Sequence, residues 1–332
     1  MNDFDSFFLE QRYKKSIEAR DNLKEISEKV DWEKFRPLIE PLYFDNSETG
    51  GRPHFDVIVM VKVIMLQTMY NLTDPELEFA LNDRISFQHF IGIDNPVPDY
   101  STIWRFKERL TKAGVAKQIH LQFLDQIHEQ GYELKTGMIQ DATFIEADIG
   151  KKRQTEEQKR RARNKEIRYS RRQKSHINID AKFMKKGAET HHGYKLHTKV
   201  DADHVFIQDF DVTPANVADC KVDLSAKDDI RMFRDKGYSG TPLKAENIQD
   251  FTMKKAARNH PLTEDEKKFN KIASRIRVFV ERPYAVIKRK FHRNHSRATR
   301  LARVMVSQMF SVLAYNITNF IALERKHLAD AR

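Results

Sequence analysis

The spacing of apolar residues changes near residue 135, and this change limits the folds that the chain can adopt. From about Asp31 to Gly131 apolar residues recur at helical spacing. From about Gly137 the segments "GMIQDATFIEA", "HHGYKLHTKVDA" and "HVFIQDFDVT" instead alternate as strands do. We therefore expect an all-α amino-terminal domain over residues 1–132, followed by an α/β domain over residues 133–332 whose mixed sheet is flanked by helices.

Start signals place several helices in the first half. Asp56 to Met69 is apolar on nearly all sides, which is typical of a buried helix. Thr73 and Glu76 match a capping box and predict the start of the next helix. The segment "PDYSTIWRFKERLTKAG" predicts a further helix capped by Ser101 or Thr102.

The second half continues as alternating elements. A helical segment is expected over residues 216–227, then a strand at "IRMFRD", a turn at Gly237 to Gly240, and a strand at "FTMKKAA". Thr263 and Glu266 form a second capping box, which predicts a long helix after them.

Charge points to a polyanionic partner. The chain of 332 residues has a net charge of +11, and the segment from Lys151 to Lys174 holds twelve basic residues against three acidic ones. Such an excess favours binding to anions by counterion release. We expect the basic insert, residues 151–175, to contact DNA, although a solvated surface insertion has the same composition.

Membrane and disulfide readings are disfavoured. The apolar run from Val57 to Leu66 is interrupted by Lys62 and is shorter than the ~20 residues that span a bilayer. The late stretch from Leu301 to Leu323 carries several polar residues, as a buried helix does. With one cysteine, Cys220, and no signal-like start, the protein is expected to be cytoplasmic, without membrane contact.

Three carboxylates are candidates for chemistry. Asp141 lies in an apolar strand, where a charge is costly unless it is paired or metal-bound. Asp235 ends a short strand, at the edge of a sheet where sites gather, although aspartate before glycine is also common in simple turns. Glu281 is the only acidic residue between Glu266 and Glu324.

The helix around Glu281 has a basic face. Arg277, Glu281 and Lys288 lie within about 40° of one another on an α-helix. A separate stripe is expected to face the core, and it consists of Ile272, Ile276, Val280 and Ile287. A salt bridge between Glu281 and Arg277 is the alternative to a catalytic role. Pro283 should bend this helix.

Converging carboxylates would need cations. Two carboxylates about 4 Å apart repel by roughly 4 kcal/mol at an effective dielectric near 20. Oxygen ligands suit Mg²⁺ or Mn²⁺, and two such ions ~3.5–4 Å apart can clamp the attacking and leaving oxygens of a phosphoryl displacement.

These motifs together resemble transposases of the insertion sequence five family, which have a ribonuclease H-like catalytic domain. The matching segments are "GRPHFDVIVMVKVIMLQTMYNLTD", "PDYSTIWRFKERL", "IQDATFIEA", "HHGYKLHTKVDA", "TPANVAD", "DKGYSG" and "RIRVFVERPYAVIKR". The resemblance implies that Asp141, Asp235 and Glu281 are the catalytic, metal-binding triad, with two Mg²⁺ or Mn²⁺ ions.

The last helix also matches a tyrosine-arginine-glutamate-lysine signature of related families. Arg277, Glu281 and Lys288 take its last three positions, whereas Ser274 stands in the tyrosine position. Only 45 residues lie between Asp235 and Glu281, too few for the large domain that some relatives insert there.

By this resemblance the protein would cut DNA at the terminal inverted repeats of its element and join the exposed 3′-hydroxyl to target DNA, as a homodimer. DNA contacts are expected around the triad from Arg277, Lys288, Lys236, Tyr238, Arg282 and Lys195. A non-catalytic, domesticated DNA-binding regulator and a plain metal-dependent nuclease are the alternatives.

The helical half is the candidate for recognition of the DNA ends. Thr102, Arg105 and Lys107 could enter a major groove, or their helix could only pack through its apolar side, Ile103, Phe106 and Leu110. Trp104 could stack on an unpaired base, but a buried tryptophan is the commoner case.

Three histidines, His191, His192 and His197, could suggest a metal cluster. Because they lie on a strand of alternating polarity, structural or phosphate-contacting roles are favoured.

Overall fold

The computed structural model describes residues 3–16, 18, 21–43, 53–133, 137–148, 178–258 and 260–330. The basic insert, residues 151–175, lies outside these ranges. The helices are α1 (Asp3–Ser16), α2 (Asn22–Lys29), α3 (Arg36–Ile39), α4 (Val57–Met69), α5 (Asp74–Asp83), α6 (Ile85–Ile91), α7 (Tyr100–Ala113), α8 (Ala116–Glu129), α9 (Glu264–Arg277), α10 (Glu281–Ala285) and α11 (Leu301–Asp330). The strands are β1 (Met138–Ala147), β2 (Lys182–Lys186), β3 (Glu189–Asp201), β4 (Ile207–Pro214), β5 (Arg231–Arg234), β6 (Gln249–Thr252) and β7 (His295–Ser296).

The first half is helical, as the apolar spacing predicts. Helix α4 is buried along most of its length, and its first amides, of Ile58 and Val59, donate to the Asp56 carboxylate at 2.8 and 3.1 Å. The capping box of Thr73 and Glu76 is present at the start of α5. Both predictions are therefore confirmed.

The cap predicted for α7 is wrong. Asp99, not Ser101 or Thr102, caps this helix, because its carboxylate accepts the amide of Thr102 at 2.6 Å and the hydroxyl of Ser101 at 2.8 Å. An aspartate at this position can satisfy both donors at once, which a serine cap cannot.

A mixed sheet forms the second half, with β1 at its centre. Strand β3 pairs antiparallel with one edge of β1, and β2 and β4 pair antiparallel with the other edge of β3. On the opposite side β5 pairs parallel with the start of β1, and β6 pairs parallel with β5. The two-residue strand β7 pairs with the end of β1.

The three predicted strands correspond to β1, β3 and β4. The turn between β3 and β4 is held by Asp201, whose carboxylate accepts backbone amides from residues 203 to 206. The sequence did not indicate β2 or β7. It also placed the last strand too late, because β6 ends at Thr252 and "KKAA" lies beyond it.

Gly193 allows close packing between β1 and β3. A Cβ at this position would lie 2.0 Å from the carbonyl oxygen of Ile145, a backbone atom that cannot move aside without breaking the strand pairing. Glycine therefore allows the two central strands to approach here.

The prediction of a helix over residues 216–227 is wrong. Only a 3₁₀ turn at Asp219–Lys221 forms there. The side chain of Gln140, on β1, accepts the amide of Leu224 and donates to the carbonyl of Val222. Asp223 and Asp229 accept further amides of the segment. Side chains thus replace the bonds that a helix would make within its own backbone.

The long helix after the second capping box is not continuous. Thr263 and Glu266 cap α9 as predicted, but after Arg277 the chain passes through a 3₁₀ turn at Val278–Val280, α10, and a π-helical turn at Val286–Lys290. Val280 and Ile287 are buried as expected, whereas Ile272 is 58% exposed and does not belong to the core.

Helix α11 packs against both halves. It contacts β4 on one side and α4, α7 and α8 on another, and the buried apolar residues form one cluster that runs from Leu23 to Ile321. This helix is long and apolar enough to cross a membrane, but 83% of its apolar window is buried inside the protein. It is therefore accounted for as a core helix.

Candidate active site

The sheet brings Asp141 and Asp235 side by side. Strands β1 and β5 run parallel, and their last paired position joins Gln140 to Arg234. Asp141 and Asp235 are the next residues after this last pair. Because side chains at matching positions of neighbouring strands point to the same face, these two carboxylates share one face at the centre of the sheet.

A single guanidinium holds the two aspartates. Nη2 of Arg277, the last residue of α9, donates to Oδ2 of Asp141 at 2.7 Å, and its Nη1 lies 3.6 Å from Oδ1 of Asp235. Nη1 also lies 3.7 Å from the sulfur of Met253. The partner that the sequence allowed for Asp141 is thus present, and it is shared.

Electrostatics show that Asp141 is costly to ionise. Its pKa is raised, first by burial and also by the nearby charge of Asp235, against the opposing effects of Arg277 and of the Ala142 amide. A carboxylate with a raised pKa beside a second carboxylate is a place where a cation is favourable.

Glu281 begins α10, one turn after Arg277, and its side chain is exposed. Within the described part of the chain it forms no hydrogen bond or ion pair. The alternative of a salt bridge to Arg277 is not observed, because that guanidinium is bound to the aspartates.

Tyr284 is a residue of this site that the sequence did not single out. It is buried, and its hydroxyl lies 2.8 Å from Oγ1 of Thr198 on β3. Burial raises its pKa most, and the charges of Asp141 and Glu281 raise it further. Tyr284 is therefore near both carboxylates. Its position three residues after Glu281, among apolar neighbours, was the available signal.

The structure brings together two of the three expected carboxylates. Across the residues that it describes, no set of three or more His, Cys, Asp or Glu side chains is arranged to hold a metal ion. The donor types nevertheless suit a hard cation, because carboxylate oxygens are the ligands that Mg²⁺ and Mn²⁺ prefer.

The expected DNA-contacting residues around the triad differ in their surroundings. Lys236 and Arg282 are exposed. Lys288 is half-buried, and its pKa is lowered by burial and by Lys186. Lys195 donates to Asp219 at 2.8 Å. Tyr238 is only 2% exposed, which does not fit a surface contact with DNA.

Helix α7 packs through its apolar side, as the second reading of this helix predicts. Ile103, Phe106 and Leu110 are buried. Of the polar candidates, Thr102 is partly buried and Arg105 is exposed, whereas the ammonium of Lys107 is bound by Asp74 and by Gln67. Trp104 is 49% exposed, so the expectation of a buried tryptophan is wrong.

The three histidines make separate contacts. His197 is buried, its Nε2 lies 2.8 Å from Oγ1 of Thr213, and burial lowers its pKa to about 4. Nδ1 of His192 lies 3.0 Å from the carbonyl oxygen of Ala147. His191 lies against the ring of Phe144. These contacts fit the structural role.

Two known protein families match most of this chain. The profile of the family described as "Transposase DDE domain" matches residues 132–317, more than half of the chain, and that of "Transposase domain (DUF772)" matches residues 11–109. The chain belongs to the transposase DDE domain family. No solved structure matches it.

The two matches cover different parts of the transposase. The DUF772 match lies within the helices α1 to α7, and the DDE match covers the whole sheet, α9, α10 and most of α11. Asp141, Asp235 and Glu281 all lie within the DDE match. The protein is a DNA transposase, and enzymes of this family generally use divalent metal ions.

Proposed function

We propose that this transposase cuts DNA at the ends of its element and transfers the exposed 3′ ends to target DNA, with Asp141, Asp235 and Glu281 as the acidic triad. The observation that carries the assignment is that Asp141 and Asp235 directly follow the last paired residues of two adjacent parallel strands and share the guanidinium of Arg277. Glu281 is an exposed carboxylate that lies one helical turn after the arginine that joins them.

The two aspartates would be shared ligands of divalent cations, Mg²⁺ or Mn²⁺, with two ions for each site. When bound, such ions supply Lewis-acid activation of water and stabilise the charge of the leaving oxygen. The protein's own part is to hold the aspartates at one face of a rigid sheet. Arg277 must release at least one carboxylate to make them available.

Approach of Glu281 is the second requirement. Its helix α10 is short and lies between a 3₁₀ turn and a π-helical turn, and it contains Pro283. Such irregular helical turns are frequent at functional sites. A change at these turns would move Glu281 toward the aspartates without disturbing the sheet.

The antiparallel set β4, β3, β1 followed by the parallel strands β5 and β6 supports a ribonuclease H-like catalytic domain over residues 133–332, of the insertion sequence five group. Residues 1–132 would form a domain that binds the terminal inverted repeats and contributes to a homodimer. The exposed candidate DNA contacts are Arg105 in this domain and Lys236 and Arg282 in the catalytic domain. We place the protein in the cytoplasm, acting on DNA.

Three charge-neutral substitutions test the triad, namely Asp141→Asn, Asp235→Asn and Glu281→Gln. Each should reduce Mg²⁺-dependent cleavage of DNA that carries the element's ends by at least ~10³-fold, since each removes a negative charge and replaces one carboxylate oxygen with an amide nitrogen that cannot bind the cation. DNA affinity should change less than threefold. The control is Asp228→Asn, an exposed aspartate near β5 that should retain full cleavage.

Full cleavage by any one of the three variants would remove that residue from the triad. Cleavage without joining of a pre-cut end to target DNA would identify a nuclease instead. Binding to the ends without cleavage in any cation would identify a DNA-binding regulator.

A further inference from the structure

A cavity of about 420 Å³ lies between the helical half and the segment that follows the active-site helices. Its walls come from α4, α5 and α7 on one side and from residues 293–310 on the other. This volume lies within the usual range for small-molecule sites. The cavity is separate from the paired aspartates, and its lining contains neither of them.

Arg293 is the first unusual feature of this cavity. Nη2 of Arg293 donates to the hydroxyl of Ser307 at 2.8 Å, and among the described residues it has no carboxylate within ion-pair distance. Burial first, and the neighbouring charge of Arg297 second, together lower its pKa to about 10. A largely buried cation without a counter-ion is costly unless an anion joins it.

The other charges of the cavity do not supply that anion. Two pairs neutralise themselves, since Lys107 is bound by Asp74 and the guanidinium of Arg303 by Glu108. Nη1 of Arg297 donates to the carbonyl of Asn71 at 3.1 Å, and Glu76 is the acidic residue whose pKa it influences. The cavity therefore retains an excess of positive charge at Arg293 and Arg297.

Trp104 gives the cavity an aromatic wall, in contrast to the charged wall of Arg293 and Arg297. Its indole is 49% exposed, and the guanidinium of Arg303 lies 5.9 Å from its ring centroid. Leu72, Val306 and Phe310 add apolar surface to the lining. An open aromatic ring beside cations that have no carboxylate partner among the described residues matches the two parts of a nucleotide, because a base stacks on the ring and a phosphate binds arginine.

We propose that this cavity binds one unstacked nucleotide of DNA, with its phosphate on Arg293 and Arg297 and its base on Trp104. This inference rests on the proposed function for its DNA substrate. Because residues of both halves line the cavity, the bound nucleotide would fix the helical half relative to the segment that follows Glu281 and Lys288.

Binding is tested with the full-length protein and two DNA probes, a duplex with a single-stranded tail and the same duplex with blunt ends. The tailed probe should quench the fluorescence of Trp104, which is more exposed than Trp32. Arg293→Met should weaken binding of the tailed probe about tenfold, the loss of one charge-assisted hydrogen-bonded contact, and binding of the blunt probe less than threefold. Trp104→Leu should abolish the change in fluorescence. Lys112→Met, which removes an exposed charge from α7, the helix that carries Trp104, is the matched control and should leave both affinities within twofold.

Thermal stability measured without DNA is the control for correct folding of the variants. Since Arg293 has no counter-ion, Arg293→Met should leave the melting temperature unchanged or raise it, whereas a purely structural arginine would lower it. Equal binding of the tailed probe by wild type and Arg293→Met would overturn the proposal. So would inorganic phosphate that competes fully with the tailed probe at micromolar concentration, which would identify a site for free anions.

Failure of the proposed function is distinguishable from failure of this inference. The Asp141→Asn variant should still show quenching of Trp104 by the tailed probe, because Asp141 does not line the cavity. Quenching that depends on Asp141 would contradict a separate nucleotide site, whatever the cleavage assay shows.

Discussion

The guanidinium of Arg277 lies between two carboxylates that would otherwise face one another across adjacent strands. The Arg277 side chain is 17% exposed and that of Asp141 is 19% exposed, so solvent screens this contact only in part. Sequence spacing placed Arg277 on the face of Glu281. Tertiary structure gave it to the aspartates instead, because the helix ends at Arg277 and turns before Glu281 is reached.

Arg277→Met tests whether the arginine occupies the place of a cation. The substitution keeps most of the side-chain length and leaves Asp141 and Asp235 unpaired, so we expect a loss of about 2 kcal/mol of stability without divalent ions. Added Mg²⁺ should raise the melting temperature of the variant more than that of the wild type, because no guanidinium competes with the ion. Differential scanning fluorimetry measures both effects.

Arg275→Met is the matched control, since Arg275 lies on the same helix and is exposed. It should change neither the stability nor its response to Mg²⁺. A smaller response to Mg²⁺ in Arg277→Met than in the wild type would show that the arginine supports the ion rather than competing with it.

Local signals predicted elements well where the determining contacts lie within a few residues. Both capping boxes, at Thr73 and Thr263, join residues three apart and are present in the structure. The segment 216–227 failed for the opposite reason, because Gln140, on a strand about eighty residues earlier, satisfies its backbone. The same limit applies to the site. Each carboxylate could be identified in the sequence, but the arginine between two of them could not.

Helix α8 packs against β4 through a buried histidine. The ring of His120 lies 5.3 Å from that of Phe210, edge to face. Burial lowers the pKa of His120 to about 4, with Asp209 opposing this and Lys117 adding to it. The neutral imidazole is therefore the form that fits the contact between helix and sheet.

This histidine predicts acid sensitivity at the same contact. The unfolded chain takes up its proton near pH 6.5 and the folded protein only near pH 4, so stability is present above pH 6.5 and is lost as the pH falls between these values. Between pH 7 and pH 5 the loss from His120 should be about 2 kcal/mol. His120→Leu should remove this part of the loss in urea unfolding, leaving a remainder from His197. His128→Gln, an exposed position on α8, should not. An unchanged pH dependence in His120→Leu would show that folding does not lower the pKa of this imidazole.

Helix α11 is held to the sheet by hydrogen bonds as well as by apolar packing. The side-chain amide of Asn316 bonds both backbone groups of Ile207 at 2.9 Å, and the hydroxyl of Tyr315 donates to the carbonyl of Val205 at 2.7 Å. The opposite side of the helix packs on α4, α7 and α8. A helix fixed to the sheet by one side and to the helices by another makes separate unfolding of the halves unfavourable.

Asn316→Leu tests this coupling. The substitution leaves the buried amide and carbonyl of Ile207 unpaired, so we expect it to cost about 3 kcal/mol. Because the core is shared, the loss should move one transition. The fluorescence of Trp32, in the helical half, and the hydrogen exchange of β1 and β3 should therefore shift to the same urea concentration. Thr318→Ala is the control, since that hydroxyl donates only within its own helix, to Ala314. If the strands of Asn316→Leu exchanged at urea concentrations that left Trp32 unaffected, the halves would be independent domains. Coupling between end recognition and catalysis would then depend on bound DNA, through the nucleotide held between the halves.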